Sequence, residues 1–563
     1  MIVSALVKRY EDMGGVPFGW QKRGVSYALN IDENGRLLDV VQLETVDEKK
    51  RKKHYRILPK ETPRSSGLKA AFLCDNGSYF LGLDEKHGEE KFNKARDLHA
   101  SVLENTNNPF AKAILAYFKA GILYNHEQFI NVASIDEKTA KSALFIFQVN
   151  GCFADFEDAT LRIAWNTYCD SESGKAERSL CLVTGQKTAM ERVHGKIKFG
   201  KTAGGATFIG VNKDSFASYG KTREDRAADI SEYAAFAYVT ALNDLLKDRN
   251  HHRSIGGDTL VYWAEKGGET EENLFENLLD PPAGVDDEKA ISDVVARIAQ
   301  GDQISECKPQ RKFYLLCLSS NTARISVRFF HTDNFGDLVR HIKSHYDRLE
   351  IVNNDREHTQ FLPLWKILKE TTLAAESATK ASPLLGGQLL SSILVGSVYP
   401  LTLYNAILIR IMAGDAINRT KSAVIKSVQI QNFKEWEVTT VGLNEQSDNQ
   451  SYVLGRLFSV LERLQEKANG SANVRERYFT SACANPKVVF PRLLNLSVHH
   501  AAKVDNAIFF EKLKGELLAK LDDKNPFPAA LGLENQGKFI LGYYHQTQWF
   551  FTKKEKREEL VNE

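Results

Sequence analysis

"SYVLGRLFSVLERLQEK", residues 451–467, decides how the second part of this chain is read. Leu454, Leu457, Phe458, Leu461 and Leu464 recur at three- and four-residue steps, the spacing that places side chains on one face of an α-helix. Arg456, Arg463 and Lys467 fall on the opposite side, seven and four residues apart, so the stretch predicts an amphipathic helix with a cationic outer face. Comparable helical patterns follow one another beyond about residue 375, where strand signals nearly vanish. Residues 381–409, "ASPLLGGQLLSSILVGSVYPLTLYNAILI", carry no charge. A membrane helix would want about twenty predominantly apolar residues. Here Pro400 breaks the run, and Ser391, Ser392, Ser397, Thr402 and Asn405 interrupt it. Two buried helices joined near Tyr399-Pro400 are expected, and no membrane span.

Toward the N-terminus the pattern changes. "VSYALNID" (25–32), "RLLDVVQLE" (36–44) and "YFLGLD" (79–84) read as strands, with a turn signal at Glu33-Asn34-Gly35. "FYLLCLSSNTARISVRFFH" (313–331) reads as a hairpin around Ser319–Asn321, and "ISEYAAFAYVTALNDLL" (230–246) as a helix. The fold class is therefore α+β: a mixed α/β body over 1–375, then an all-helical bundle over 376–563. No internal repeat or low-complexity segment is visible.

Composition bounds the function. With 563 residues, 43% hydrophobic and 26% charged, the chain has the make-up of a globular protein able to bury sizeable cores. Net charge is only +2, so any nucleic-acid surface must be local. "MIVSALVKRYEDM" has too short an apolar run before Lys8 and Arg9 for a signal peptide. Seven scattered cysteines with no C-x-x-C suggest a reduced, cytoplasmic protein without a zinc ribbon.

Three surfaces are candidates for binding. "KKRKKHYR" (49–56) offers Lys50, Arg51, Lys52 and Lys53 for phosphate contact, although a solvated loop between strands accounts for the run equally well. In the C-terminal part, basic residues outnumber acids five to one over 410–434 and again over 475–503. Arg419, Lys421, Lys426, Arg456, Arg463, Lys467, Arg475, Arg477, Arg492 and Lys503 would line a groove for a single strand. The third surface is "SSGLKAAFLCDNGSYFLGLD" (65–84), where Lys69, Asn76 and Ser78 sit around turn signals. By itself an Asp-Asn-Gly is more often a type I′ hairpin turn.

Catalytic motifs are thin. "GKIKFGKT" (195–202) matches G-x-x-x-x-G-K-T, with Lys201 in the phosphate-binding position. A phosphate loop needs a buried strand before it and a helix after it. The preceding "GQKTAMERV" is polar, and Gly204 and Gly205 would occupy the first helical turn. The match is read as a decoy, and an ATPase using Lys201 remains only an alternative. Lys196, Lys198, Lys201 and Gly204 are instead candidates for close approach to a phosphate backbone. His341 and His345 have helical spacing but lack the H-E-x-x-H pattern. No catalytic residues, cofactor or metal site are expected; the sequence reads as a binder.

"SGLKAAFLCDNGSYFLGLD", "ISEYAAFAYVTALNDLL", "CLVTGQ" (181–186), "YVLGRLFSVLERLQ" (452–465), "RYFTSACANPKVVFPRLLNL" (477–496) and "LGYYHQTQWFFTKK" (541–554) together resemble the large subunit of the type I-C CRISPR interference complex, Cascade. The resemblance runs from the first residues to about Lys554. It implies a non-catalytic subunit that reads the protospacer-adjacent motif in double-stranded DNA and helps open the duplex. It further implies that the C-terminal helices, which resemble a Cascade small subunit, steady the displaced strand. The implied partners are a guide RNA with backbone and guide-end-capping subunits, small subunits, and a recruited nuclease-helicase. Under that resemblance Lys69 and Asn76 lead as motif readers. The family also makes its small subunit from an internal translation start, for which Met412, the only methionine after Met190, is one candidate. A purely structural scaffold is the other alternative.

Overall fold

The computed structural model describes residues 2–47, 50–52, 54–60, 68–173, 178–199, 205–211, 214–217, 228–255, 257–279, 293–298, 307–321, 324–353, 361–373, 376–382, 384–471, 473–505 and 507–552. It is α+β and divides into two compact units, one of residues 1–195 with 209–241 and one of residues 196–208 with 242–563.

The first unit is built on a mixed sheet in the order Leu37–Gln42, Tyr27–Ile31, Leu144–Val149, Cys74–Asn76. Tyr27–Ile31 and Leu144–Val149 run parallel, and the chain between them supplies the helices Gly88–Leu103, Pro109–Ala120 and Ile122–Val132. A separate ribbon pairs Trp20–Val25 with His54–Pro59. The expected turn forms where Asp32 accepts from the N–H groups of Asn34 and Arg36. Gly35 is required there twice over. Its φ is +79°, and a Cβ would lie 2.2 Å from the Tyr117 backbone nitrogen. Large rings fill the core, among them Trp20, Phe72, Phe80, Phe118, Phe147 and Trp165.

The expected strand at 79–84 is not a strand: its first two residues end a short helix and the rest is irregular. Asn76 is extended (φ −80°, ψ 166°) and its side chain accepts from the Ser78 N–H at 3.1 Å, capping a short helix Gly77–Phe80. A type I′ turn would need positive φ at Asn76 and Gly77, and neither has it; the left-handed residues described in this stretch are Leu73, at φ 57°, and Gly82, at φ 66°. The approach to the cap is closely wired. Asp75 accepts from the N–H of Ala71 and of Asn76, and Leu73 N–H donates to His99 Nε2 at 3.0 Å.

In the second unit, an antiparallel meander runs in the order His252–Ile255, Asp258–Ala264, Lys312–Asn321, Arg324–Asn334. Its last hairpin pairs through Asn321 and Arg324, so Ser319–Asn321, the expected turn, still belongs to the strand. The second unit spans residue 375. One continuous core joins Leu260, Phe313 and Phe335 of the meander region to Leu390, Leu454 and Phe539 of the helices. The sequence signalled where strands stop; it did not signal what the strands pack against.

Pro400 separates the helices Leu385–Val395 and Leu401–Met412, as expected. Among the described residues no helix is long and apolar enough to cross a membrane. The helix Gln450–Asn469 departs from its amphipathic reading, for every residue from Ser451 to Leu461 is buried. It packs against Val474–Ala484, Pro486–Ala501, Ala507–Ala519 and Leu533–Phe551. The closest crossing is with Leu533–Phe551 and uses a glycine from each side. A Cβ on Gly455 would lie 1.9 Å from the Phe539 carbonyl oxygen, and one on Gly542 would lie 2.1 Å from that of Tyr452.

Candidate nucleic-acid interface

Each candidate cation can be sorted by whether its charge reaches solvent. In the first unit Lys69 is exposed, but Ser78 is buried and its hydroxyl donates to the Lys141 carbonyl at 3.1 Å. Ser78 therefore leaves the set of DNA-facing residues, and the Asn76 carbonyl oxygen is committed to its cap. Lys50, Arg51 and Lys52 form a strand that pairs with Thr45–Asp47, so the run is not a loop; Lys53 lies outside the described residues. Beside it, Tyr55 is 58% exposed, whereas Arg56 is ion-paired with the buried Asp155.

The described residues on either side of the glycine-rich loop, 196–199 and 205–208, belong to the second unit. Ile197 and Ala206 exchange backbone hydrogen bonds at 2.9 and 2.8 Å. Gly205 stands at φ +75°, where a Cβ would come within 2.7 Å of the Ile197 carbonyl oxygen. The Asn243 side chain clamps the first of these segments, accepting from Lys198 N–H and donating to the Lys196 carbonyl. Lys196 and Lys198 are exposed, with Lys196 Nζ 2.8 Å from Thr207 Oγ1. Lys201 and Gly204 lie outside the described residues. Residues 205–211 are not helical, so the helix a phosphate loop needs is absent from the described chain that follows the motif.

The C-terminal helices separate the expected groove residues sharply. Lys421, Lys426 and Arg456 are at most 4% exposed, and they leave the set of surface contacts. Lys421 pairs with Glu370. Lys426 donates to the Glu350 carbonyl, and burial pulls its pKa down to about 8. Arg456 donates from Nε to Gln546 Oε1 at 3.1 Å and from Nη1 to the carbonyls of Asn444 and Glu445. The helix Arg419–Gln431 that carries two of these lysines is buried from Thr420 to Ile430. Burying an alkyl chain hides a lysine as well as it hides a leucine, and helical spacing cannot tell the two cases apart. Among the half-buried residues, Arg419 sits at the start of that helix. Arg463 pairs with Glu466 and lies over the Phe551 ring, and Arg475 donates to the Asp415 carbonyl.

Lys467, Arg477, Arg492 and Lys503 are exposed, and two of them belong to one continuous face. From Asn485 to Val504 the sequence contains no acid. The helix Pro486–Ala501 turns Lys487, Arg492 and His499 outward, and Lys503 follows its end. Val488 and Val498, 75% and 62% exposed, lie among them. The Arg492 guanidinium sits 5.5 Å from the Tyr478 ring centre, which steadies its charge at the surface. This face offers phosphate-sized charges interspersed with apolar patches. Trp436, 67% exposed, was not anticipated; a lone Trp between two glutamates carries no signal of exposure.

His341 and His345 are both engaged within the fold. His345 is buried against the Tyr399 hydroxyl, and burial followed by the Arg348 charge takes its pKa down to about 3. His341 faces the Leu394 carbonyl instead. None of the seven cysteines is paired, and no group of three or more His, Cys, Asp or Glu able to hold a metal occurs among the described residues.

No curated protein matches the chain. Residues 6–551 match the family described as CRISPR-associated protein (Cas_Csd1), which takes in nearly every element above, from the first helix to the last. The chain belongs to the Cas_Csd1 family of CRISPR-associated proteins.

Proposed function

We propose that this CRISPR-associated, Cascade-type subunit is the large subunit of a type I-C surveillance complex. In this reading it contacts the protospacer-adjacent motif in duplex DNA and helps open it. It then holds the displaced strand on its helical part and recruits a separate nuclease-helicase, with no catalysis of its own. The guide RNA, its backbone and end-capping subunits and the small subunits would be its partners. Base pairing would supply the sequence readout and the protein only the motif and backbone contacts.

The observation that carries strand binding is the acid-free face of the helix Pro486–Ala501, with Lys487, Arg492, His499 and Lys503 outward. Lys69 in the first unit and Lys196 and Lys198 before the glycine-rich loop are the exposed positions for duplex contact. Binding of a single-stranded oligonucleotide to the purified chain, titrated with salt, tests the reading. Arg492→Glu with Lys503→Glu is expected to weaken binding on the order of tenfold at low salt. Losing two phosphate contacts would also flatten the log–log salt slope by about 1.4. An unchanged slope would overturn strand binding at this face.

A further inference from the structure

The helical part contains a cavity of about 250 Å³ that the cationic face does not explain. It is lined by Phe509, Lys512 and Glu516 from Ala507–Ala519, by Arg456 from Gln450–Asn469, and by Gln546 and Trp549 from Leu533–Phe551. The Phe509 and Trp549 rings are parallel to within 4°, with centres 6.3 Å apart. Trp549 is held in place by its indole N–H, which donates to Glu445 at 3.0 Å.

The inner end is polar and incompletely satisfied. Gln546 is 0% exposed and its Nε2 has no hydrogen-bond partner. Its Oε1 is already taken by Arg456 Nε, which fixes the amide so that only donors are left. Arg456 commits Nε and Nη1 and leaves Nη2 without a partner among the described residues. A buried amide N–H₂ left unpaired costs free energy, so the site favours an occupant that accepts. A ring carbonyl with two lone pairs can accept from Gln546 and Arg456 together. Flat aromatic walls add a stacking surface, and the exposed Lys512 of the lining, 4.0 Å from Glu516, offers a charge to a flanking phosphate.

We propose that this cavity captures one unpaired nucleobase of single-stranded DNA, stacked on Phe509 and Trp549 with its ring carbonyl turned toward Gln546 and Arg456. The proposal rests on the strand-binding reading above and adds a base contact to it.

The test compares a twelve-nucleotide dT oligonucleotide with an abasic strand of equal length and charge, both on the full-length chain. The dT strand is expected to bind about tenfold more tightly, the factor that about 1.4 kcal/mol of stacking gives. Phe509→Ala, at a position already 41% exposed, should bring the dT affinity down to that of the abasic strand while leaving the abasic strand unaffected. Phe509→Trp should restore the preference, and Gln546→Glu, which keeps the acceptor for Arg456 Nε but turns the free donor into an acceptor, should weaken dT several-fold more than the abasic strand. Equal binding of dT and abasic strands by the wild-type chain, or a preference that survives Phe509→Ala, would overturn the pocket and leave strand binding standing. Binding of neither strand would bring down the strand-binding reading itself.

Discussion

The cores of the two units are made of different material. In the first, rings pack on rings: Phe80 stacks on Phe147 at 4.8 Å and Phe72 on Trp165 at 5.0 Å. His99 is enclosed among them with both nitrogens engaged, Nδ1 donating to the Ala95 carbonyl and Nε2 accepting from Leu73. In the helical part of the second unit, polar and charged groups run through the interior: Lys421, Lys426, Gln429, Arg456, His545 and Gln546 are all buried. Several of their atoms lack partners there, including His545 Nε2, Gln429 Oε1 and Gln546 Nε2. A ring core is specified by shape alone. A polar core must also be matched atom by atom, so it restricts which helices can meet and in what register.

The harshest way to break the helical core is at its glycine crossing. Gly455→Ala sets a methyl group against the Phe539 carbonyl with no flexible side chain to give way, and is expected to cost on the order of 3 kcal/mol in denaturant unfolding. A stability loss within experimental error would mean that the two helices do not meet as described.

Acid should sharpen the contrast next. Burial takes the pKa of His99 down to about 4, and of His345 and His545 to about 3, with the Lys426 and Arg456 charges adding to the effect at His545. Unfolded, each takes up a proton near pH 6.5; folded, it does not until near pH 3 to 4. The stability present above pH 6.5 is therefore lost as pH falls, by about 2 kcal/mol per histidine at pH 5. Burial also lowers the pKa of His194 in the first unit, to about 4, and of His331 and His500 in the second, so the second unit carries four such groups against two and should lose more. Denaturation midpoints that are the same at pH 7 and pH 5 would contradict this.

A smaller effect separates capping from recognition in the first unit. Asn76→Ala removes a helix cap and should cost about 1 kcal/mol in thermal unfolding without changing the salt slope of DNA binding. Lys69→Ala, at an exposed position, should alter stability by less than about 0.5 kcal/mol and lower duplex affinity instead. If the two outcomes were exchanged, the assignment of cap and contact would be reversed.

The same contrast explains what could be read from residues alone. The strands at Tyr27–Ile31 and Leu37–Gln42, the meander hairpin, and the helices on either side of Pro400 followed from alternation, turn chemistry and the proline itself. The helix at Gly77–Phe80 did not, because Asn-Gly serves a cap as readily as a turn and the choice was made by the adjacent Asp75 together with His99 and Ala140 from elsewhere in the chain. The burial of Lys421, Lys426 and Arg456 was equally illegible. Their partners Glu370, Glu350 and Gln546 lie 51, 76 and 90 residues away, beyond any periodic pattern. The exposed face of Pro486–Ala501 was half visible as a stretch without acids; that it turns outward needed the packing.

The helix Arg419–Gln431 sets a condition on any shorter product of the same gene. It is covered by Phe335–Leu349, Leu364–Lys369, Leu401–Met412 and Leu533–Phe551, and only the last of these lies downstream of Met412. A polypeptide begun at Met412 would retain the helix but lose three of its four neighbours, laying open part of the buried run that includes Val424, Ile425 and Val428. Lys421 and Lys426 would be parted from Glu370 and Glu350 in the same stroke. Such a fragment would be soluble only with a replacement surface to lie against, whereas one begun upstream of Phe335 would bring its own.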